Sequence, residues 1–337
     1  MPGTAQTASN YNSNYNSNYK PLQRFLSYFN FDSLVIARLT LAWMQRSFGL
    51  EASYVLAIDR TNWKFAKTDI NIITLAVVHN GVGFPLLWML LGKAGNSSLD
   101  ERQALLARYL DAFGAGSITY LCGDREFGGR DFLNWLRQHG VPFVMRIKGD
   151  VRVTNARGER KSARGLFWSH KVGEVMHLGA RYVYSGKNPM RLYVSGMRIK
   201  GDFLVVVSDR PAPCEDLLSE YSKRWGIETL FGNLKTRGFD LEATHLRDSE
   251  RLSRLLCVLS LAFCRKRSVS ACWSYMCGAA KFAAKPWKVR KHGRLPVSIF
   301  RSGLDFLQRL LAPLCGERHQ ARFDSALGML PRITDTC

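Results

Sequence analysis

Tyr54-Val-Leu-Ala-Ile-Asp59 decides the fold, because it is an apolar run that stops on an acid. Such a run, bounded by a charge, reads as a buried strand with the carboxylate at its end. On its C-terminal side, Ile70 to Val78 and Phe84 to Leu91 read as two more strands, separated by the turn His79-Asn-Gly-Val-Gly83. Short connections make these three a meander. Ser98 and Glu101 form a capping box for a helix through Phe113, with Leu105, Leu106, Leu110 and Phe113 facing inward. Ile118 to Cys122 is a fourth strand ending at Gly123-Asp124. A helix from about Arg130 to His139 stops at Gly140, and Phe143 to Ile147 makes a fifth strand.

The order strand, strand, strand, helix, strand, helix, strand is that of an α/β, ribonuclease-H-like mixed sheet with flanking helices. Asp150 to Gly201 interrupts it: this stretch is basic, rich in Gly and Ser, and alternates polar with apolar residues, as in Arg181-Tyr-Val-Tyr184 and Arg191-Leu-Tyr-Val-Ser195. It is expected to be a β-rich insertion ahead of a last strand, Phe203 to Val207, and of a helix from near Pro213 to beyond Lys235. Before the core, Pro21 to Phe48 suggests two short helices broken near Asn30-Phe-Asp-Ser33, and Asn10 to Tyr19 is a low-complexity Asn-Tyr-Asn-Ser repeat expected to be disordered. The expected divisions are a disordered start (1–20), a helical lead-in (21–49), the first part of the core (50–149), the insertion (150–201), the second part of the core (202–250) and a basic helical region (251–337).

A chain of 337 residues with a hydrophobic fraction of 46% can bury a sizeable core, which excludes a wholly disordered protein. Its 48 Lys and Arg against 27 Asp and Glu leave a formal charge of +21, which points to a polyanionic partner. Arg251 to Leu304 contains no acid but carries Arg251, Arg254, Arg265, Lys266, Arg267, Lys281, Lys285, Lys288, Arg290, Lys291, Arg294 and Arg301, a candidate phosphate-binding surface. Trp273, Tyr275, Phe282 and Trp287, interleaved with these, read mainly as helix packing. The eight cysteines lack CxxC spacing, so neither a disulfide framework nor a structural zinc site is indicated. The longest apolar run, Leu255 to Phe263, is too short to span a bilayer, and Met1 to Tyr19 has no secretory-signal character. A cytoplasmic protein is expected.

The chemistry concentrates in Tyr221-Ser-Lys-Arg-Trp-Gly-Ile-Glu-Thr-Leu-Phe-Gly-Asn-Leu-Lys235. On one continuous helix, Tyr221, Arg224, Glu228 and Lys235 fall within about 60° of one another, while Ile227, Leu230, Phe231 and Leu234 occupy a different, apolar sector. An outward stripe of one acid, two cations and a phenol suits a divalent metal and a phosphodiester, and equally a charge-paired surface helix. Asp59 and Asp124 each end an apolar strand, and adjacent strands lie about 5 Å apart, so two such ends can share an ion. With Glu228 they form a set of hard oxygen ligands that suits two Mg²⁺ or Mn²⁺ ions and in-line displacement at phosphorus.

These residues, in Ile58-Asp-Arg-Thr-Asn-Trp63, in Cys122-Gly-Asp-Arg-Glu-Phe127 and in the Tyr221, Arg224, Glu228, Lys235 spacing, resemble the DDE transposases of bacterial insertion sequences, specifically insertion sequence family four. The resemblance covers roughly Leu50 to Asp305, including Lys291-His-Gly-Arg294 and Phe300-Arg-Ser-Gly-Leu-Asp305. It implies that Asp59, Asp124 and Glu228 are catalytic and bind metal, and that Tyr221, Arg224 and Lys235 contact DNA near the cleavage point. It implies cut-and-paste transposition: a hydrolytic nick at the element end, a hairpin made by the freed 3′-OH, its reopening, and attack of the excised ends on target DNA. It also implies a homodimer in a synaptic complex on double-stranded DNA, and an aromatic of the insertion stacked on a flipped base, for which Trp168 is the one Trp between Asp150 and Gly201. Core packing is the other reading of Trp168. The stretch before Asp59 is shorter than is usual in that family, so a truncated, inactive DNA-binding remnant and a non-transposing nuclease of the same fold are the alternative readings.

Overall fold

The computed structural model describes residues 24, 26–28, 32–185, 189–210, 217–235 and 239–279, with side chains to 264. The expected disordered start, the motifs at Lys291 to Arg294 and Phe300 to Asp305, and the acid-free basic run beyond residue 279 lie outside these residues.

One ten-stranded sheet runs in the order β3-β2-β1-β4-β5-β10-β9-β8-β6-β7. Its first five strands are β1 (Tyr54–Phe65), β2 (Thr68–His79), β3 (Val82–Leu90), β4 (Ile118–Gly123) and β5 (Phe143–Arg146). β1 pairs antiparallel with β2, and β2 with β3, while β4 is parallel to both β1 and β5. This 3-2-1-4-5 order, with β2 alone reversed between parallel neighbours and the meander edge, is the ribonuclease-H-like sheet expected from the sequence. The β2–β3 connection is Asn80-Gly81, both at positive φ (48° and 72°), the two-residue turn whose twist matches that of the flanking strands. β2 is buried on both faces from Ile70 to Val78, so helices must cover both sides of the sheet.

The insertion supplies β6 (Arg152–Thr154), β7 (Arg160–Ser162), β8 (Val175–Val183) and β9 (Met190–Ile199), and β10 (Asp202–Ser208) joins them to the core by pairing with both β9 and β5. The core is one continuous cluster from Met44 through Leu56, Phe132 and Val206 to Phe167 and Leu192. At the far edges, β3 carries Pro85 beside a register shift in its pairing with β2, and β7 is three residues long and carries Arg160 and Lys161.

The helices around the sheet include α1 (Ser33–Phe48), α2 (Leu99–Phe113), α3 (Arg130–Gln138), α4 (Ala163–Leu166), α5 (Leu217–Ser222), α6 (Trp225–Leu234) and α7 (Ser249–Ala279), and residues 26–28 ahead of α1 are helical as well. Asp32 caps α1 through a bond from the Leu34 N–H, so the expected break near Ser33 is a helix start. The capping box of α2 forms as expected, with Ser98 and Glu101 bonding reciprocally. Its fully buried face is Leu105, Leu106 and Tyr109, while Leu110 and Phe113 are only partly covered. α7 is docked by a second cluster that joins Leu252 and Leu256 to Ile36, Ile70 and Trp88, and by a Trp88 Nε1 bond to Ser253 Oγ at 3.0 Å.

The expected single helix through Tyr221 and Lys235 is two helices. Between α5 and α6 the backbone tightens: Arg224 N bonds Tyr221 O, Gly226 N bonds Lys223 O and Ile227 N bonds Arg224 O, all three-residue spans. The tighter winding changes which way the flanking side chains point. α6 then lies directly on the start of β3, where Gly226 and Gly83 meet backbone to backbone. A Cβ on Gly226 would stand 2.7 Å from Val78 Cγ1 and 3.2 Å from Gly83 N. Gly226→Ala must push α6 off the sheet, and we expect it to cost about 1–3 kcal/mol of stability. Calorimetry of the purified variant would show this as a lower melting temperature; an unchanged one would mean that the helix accommodates the methyl.

Candidate active site

The parallel pairing sets the acids. Ile58 sits opposite Gly123, and Gly123 opposite Met145, so the residues that follow in the three strands are Asp59, Asp124 and Arg146. Asp59 does not end its strand, as the sequence suggested, because β1 continues to Phe65 as a hairpin with β2. What ends at Asp59 is the pairing with β4, and with it the full burial of β1. The Asp59 carboxylate is not in open solvent either, at 17% exposure: Oδ1 accepts the Arg60 N–H at 2.7 Å and Oδ2 accepts Arg224 Nη1 at 3.0 Å. Asp124 opens a tight turn closed by Phe127 N on Asp124 O, with the Phe127 ring fully buried beneath it.

Tyr221 and Arg224 do not face outward. Tyr221 is 4% exposed and Arg224 6%, whereas their neighbour Trp225 stands out at 58%. The three-residue spans between α5 and α6 turn both side chains inward, and two carboxylates make the burial of the guanidinium tolerable. Arg224 bridges Asp59 and Glu228, its Nη2 donating to Glu228 Oε1 at 2.6 Å. The guanidinium also lies 5.6 Å from the Tyr221 ring centre and 5.3 Å from that of Trp225. Glu228 stands early in α6, where the helix dipole favours a carboxylate.

Lys235 ends α6 away from this cluster. Its ammonium donates to Asn62 O at 2.8 Å, pairs with Glu242 at 3.0 Å and sits over the Trp63 ring. Trp168 is 64% exposed, so the core-packing reading is wrong. It stacks on Phe203 and lies under Arg198 at the base of the insertion, because its ring finds an apolar neighbour on one side only.

Two groups escaped the sequence reading. Arg146 binds Asp202 Oδ2 at 2.7 Å and Phe203 O at 3.1 Å, with Nη1 3.8 Å from Asp124 Oδ1. A charge closing the apolar run Phe143-Val-Met-Arg146 was the available signal, of the same kind that marked Asp59 and Asp124. Glu126 accepts from Ser97 N, Ser97 Oγ and Arg60 Nε, tying the turn after Asp124 to the residue after Asp59. Its partners are remote in sequence, and no local pattern shows them.

Electrostatically the site is loaded. Burial, with the charges of Asp124 and Glu228, pushes Asp59 up to about 6 against the pull of Arg60 N–H and Arg224. Burial pushes the Tyr221 phenol up to about 12, so it stays a neutral donor. Burial works against the charge of Arg224, but Tyr221, Asp59 and Glu228 outweigh it and hold its pKa above the ordinary value. Three buried donors around the acids, Arg146 Nε, Tyr221 Oη and Arg224 Nε, have no hydrogen-bond partner among the described residues.

For a divalent cation the donors are of the right type, hard carboxylate oxygens. They are not gathered for it: among the described residues no three His, Cys, Asp or Glu side chains converge as a metal-binding group, and Arg224 stands between two of the three acids.

A five-stranded 3-2-1-4-5 sheet with acids at its parallel strand pair and a third acid on a packed helix defines a ribonuclease-H-like protein. The family model described as "Transposase DDE domain" matches residues 51–265, and the chain belongs to that family. No curated protein matches. Among solved structures, a piggyBac transposase synaptic complex with hairpin DNA is similar at a TM-score of 0.40 and 11% identity, over 85% of this chain and 59% of that one. A Marinitoga piezophila Argonaute in complex with guide RNA and target DNA is similar at a TM-score of 0.23 and 11% identity, over 52% of this chain and 26% of that one. The chain thus spans 59% of the length of the piggyBac chain.

The Asp59 shift fixes a pH dependence. Its folded pKa, raised from 3.8 to about 6, means that the folded chain keeps a proton that the unfolded chain has lost. This group's contribution to stability is therefore fully present below 3.8 and disappears as pH rises through about 6. Carboxyl-carbon NMR should give Asp59 a midpoint near 6 in metal-free buffer, and a higher one in Arg224→Gln. A midpoint near 3.8 would contradict the burial.

Proposed function

We propose that this chain is the transposase of a bacterial insertion sequence of family four, and that it cuts and rejoins double-stranded DNA at the element's terminal inverted repeats. The observation that carries the reading is the pairing that brings Asp59 and Asp124 to the same level of the sheet, with Glu228 joined to Asp59 through Arg224. Membership of the transposase family and the formal charge of +21 support it.

In this reading Asp59, Asp124 and Glu228 hold Mg²⁺ or Mn²⁺, two ions in all. Bound there, the ions supply activation of the attacking oxygen and stabilisation of the leaving oxygen in an in-line displacement. The chain's own groups position the DNA: Tyr221 and Arg224 beside the scissile phosphate, Lys235 on the backbone flanking it, and Trp168 as the exposed aromatic on which an unstacked base rests. Tyr221 serves as a neutral hydrogen-bond donor, since its phenol is pushed up to about 12, and no covalent enzyme intermediate is needed. The helical lead-in at 21–49 and the basic region at 251–337 flank the core as further DNA contacts. The working unit is a homodimer on paired element ends, in the cytoplasm. No helix among the described residues is long and apolar enough to cross a membrane.

The test is incubation of the chain with Mg²⁺ or Mn²⁺ and linear DNA spanning its gene and flanks, with nicks mapped to the nucleotide. Metal-dependent cuts at two inverted ends, absent in Asp59→Ala, are expected; binding without cuts would fit a DNA-binding remnant instead. Glu228→Gln should abolish cleavage and leave DNA affinity largely intact. Lys235→Ala should weaken binding and lower the salt slope of log K by about one, and an unchanged slope would remove it from the phosphate contacts.

A further inference from the structure

We propose that Arg224 is an internal counter-ion that couples metal to DNA: in the free protein its guanidinium occupies Asp59 and Glu228, and these acids open to a divalent cation as the guanidinium transfers to a DNA phosphate. The proposal rests on the reading of Asp59, Asp124 and Glu228 as the metal-holding set.

Three observations carry it. First, the same guanidinium holds both carboxylates, at 3.0 Å and 2.6 Å, with its side chain only 7% exposed. A divalent cation on these carboxylates is repelled by the guanidinium that holds them, most strongly at Asp59, whose side chain is 17% exposed against 38% for Glu228. Second, withdrawing the carboxylates from Arg224 with nothing in exchange strands a buried cation, which is strongly unfavourable. The exchange therefore needs a new anion for Arg224. Third, the donors left without partners stand around these acids: Arg224 Nε, Tyr221 Oη and Arg146 Nε, all buried. A phosphodiester offers acceptor oxygens only, which is what these donors lack.

Lys235 cannot play this part, since its ammonium is held by Asn62 O and Glu242, outside the three acids. The consequence is a thermodynamic linkage: DNA favours metal binding, and metal favours DNA binding, by one common factor.

The experiment measures Mn²⁺ binding to the full chain without DNA, by calorimetry and by the electron spin resonance of free Mn²⁺, in the wild type, Arg224→Gln, Arg224→Lys and Asp59→Asn. Near-UV circular dichroism establishes that each variant is folded. In parallel, anisotropy of a short labelled duplex follows DNA binding with and without Mn²⁺ at fixed salt. We expect Arg224→Gln to bind Mn²⁺ about tenfold more tightly than the wild type, and to lose the gain in duplex affinity that Mn²⁺ gives the wild type. Arg224→Lys, which keeps a cation but cannot bridge both acids, should shift Mn²⁺ affinity in the same direction should the Gln variant fail to fold. Equal or weaker Mn²⁺ binding in the folded Arg224 variants, with binding lost in Asp59→Asn, overturns the coupling and leaves the metal reading in place. Mn²⁺ binding undisturbed in Asp59→Asn removes the metal reading, and the coupling with it.

Discussion

The parallel pairing of β1 with β4 is the constraint on which the rest of this structure depends. It puts Ile58 against Gly123, and so delivers two aspartates and, one strand further on, an arginine to one level of the sheet. A shift of one residue in that register would turn every side chain of β1 to the opposite face, forcing Leu56 and Ile58 into the space that the small Ala57 fills as it moved Asp59 out of the site. The register is protected by what it buries: Leu56, Ala57, Ile58, Leu121 and Cys122 are all fully enclosed. The position of the acids is thus a by-product of hydrophobic packing a few residues away, which is why charged groups that repel one another can be held together there.

The third acid reaches the sheet by a different route. Glu228 is carried on α6, and α6 approaches β3 closely because Gly226 and Gly83 have no side chains to keep them apart. Arg224 then closes the arrangement, since it starts α6 and grips both Asp59 and Glu228. A helix end, a glycine contact and a bridging cation act on the same few residues, so helix placement and site electrostatics cannot be varied separately.

Much of this was legible in the chain. The order of strands and helices, the β-rich character of residues 150–201 and the capping box at Ser98 follow from periodicity and from residue types at fixed spacing, because those signals are local. What was not legible depends on distant contacts. Tyr221 and Arg224 look like surface groups on a helical wheel, but the wheel assumes uniform winding, and the three-residue spans at Arg224 break it. Asp59 looked like a strand end because apolar character ends there, although hydrogen bonding with β2 carries the strand on to Phe65. Trp168 looked like core because tryptophan usually is, yet the sheet offers it only Phe203. The Glu126 network joins residues about thirty and about sixty-five positions apart, beyond the reach of any local pattern.

The two ends of the sheet are finished in different ways. β3 carries a proline where another strand would need an N–H, and β7 is short and bears Arg160 and Lys161. A wide sheet ordinarily invites a further strand from a neighbouring molecule, and through it aggregation or fibre growth. Here, among the described residues, both borders discourage that pairing, so the sheet's spread from one copy of the chain to the next is opposed at each end.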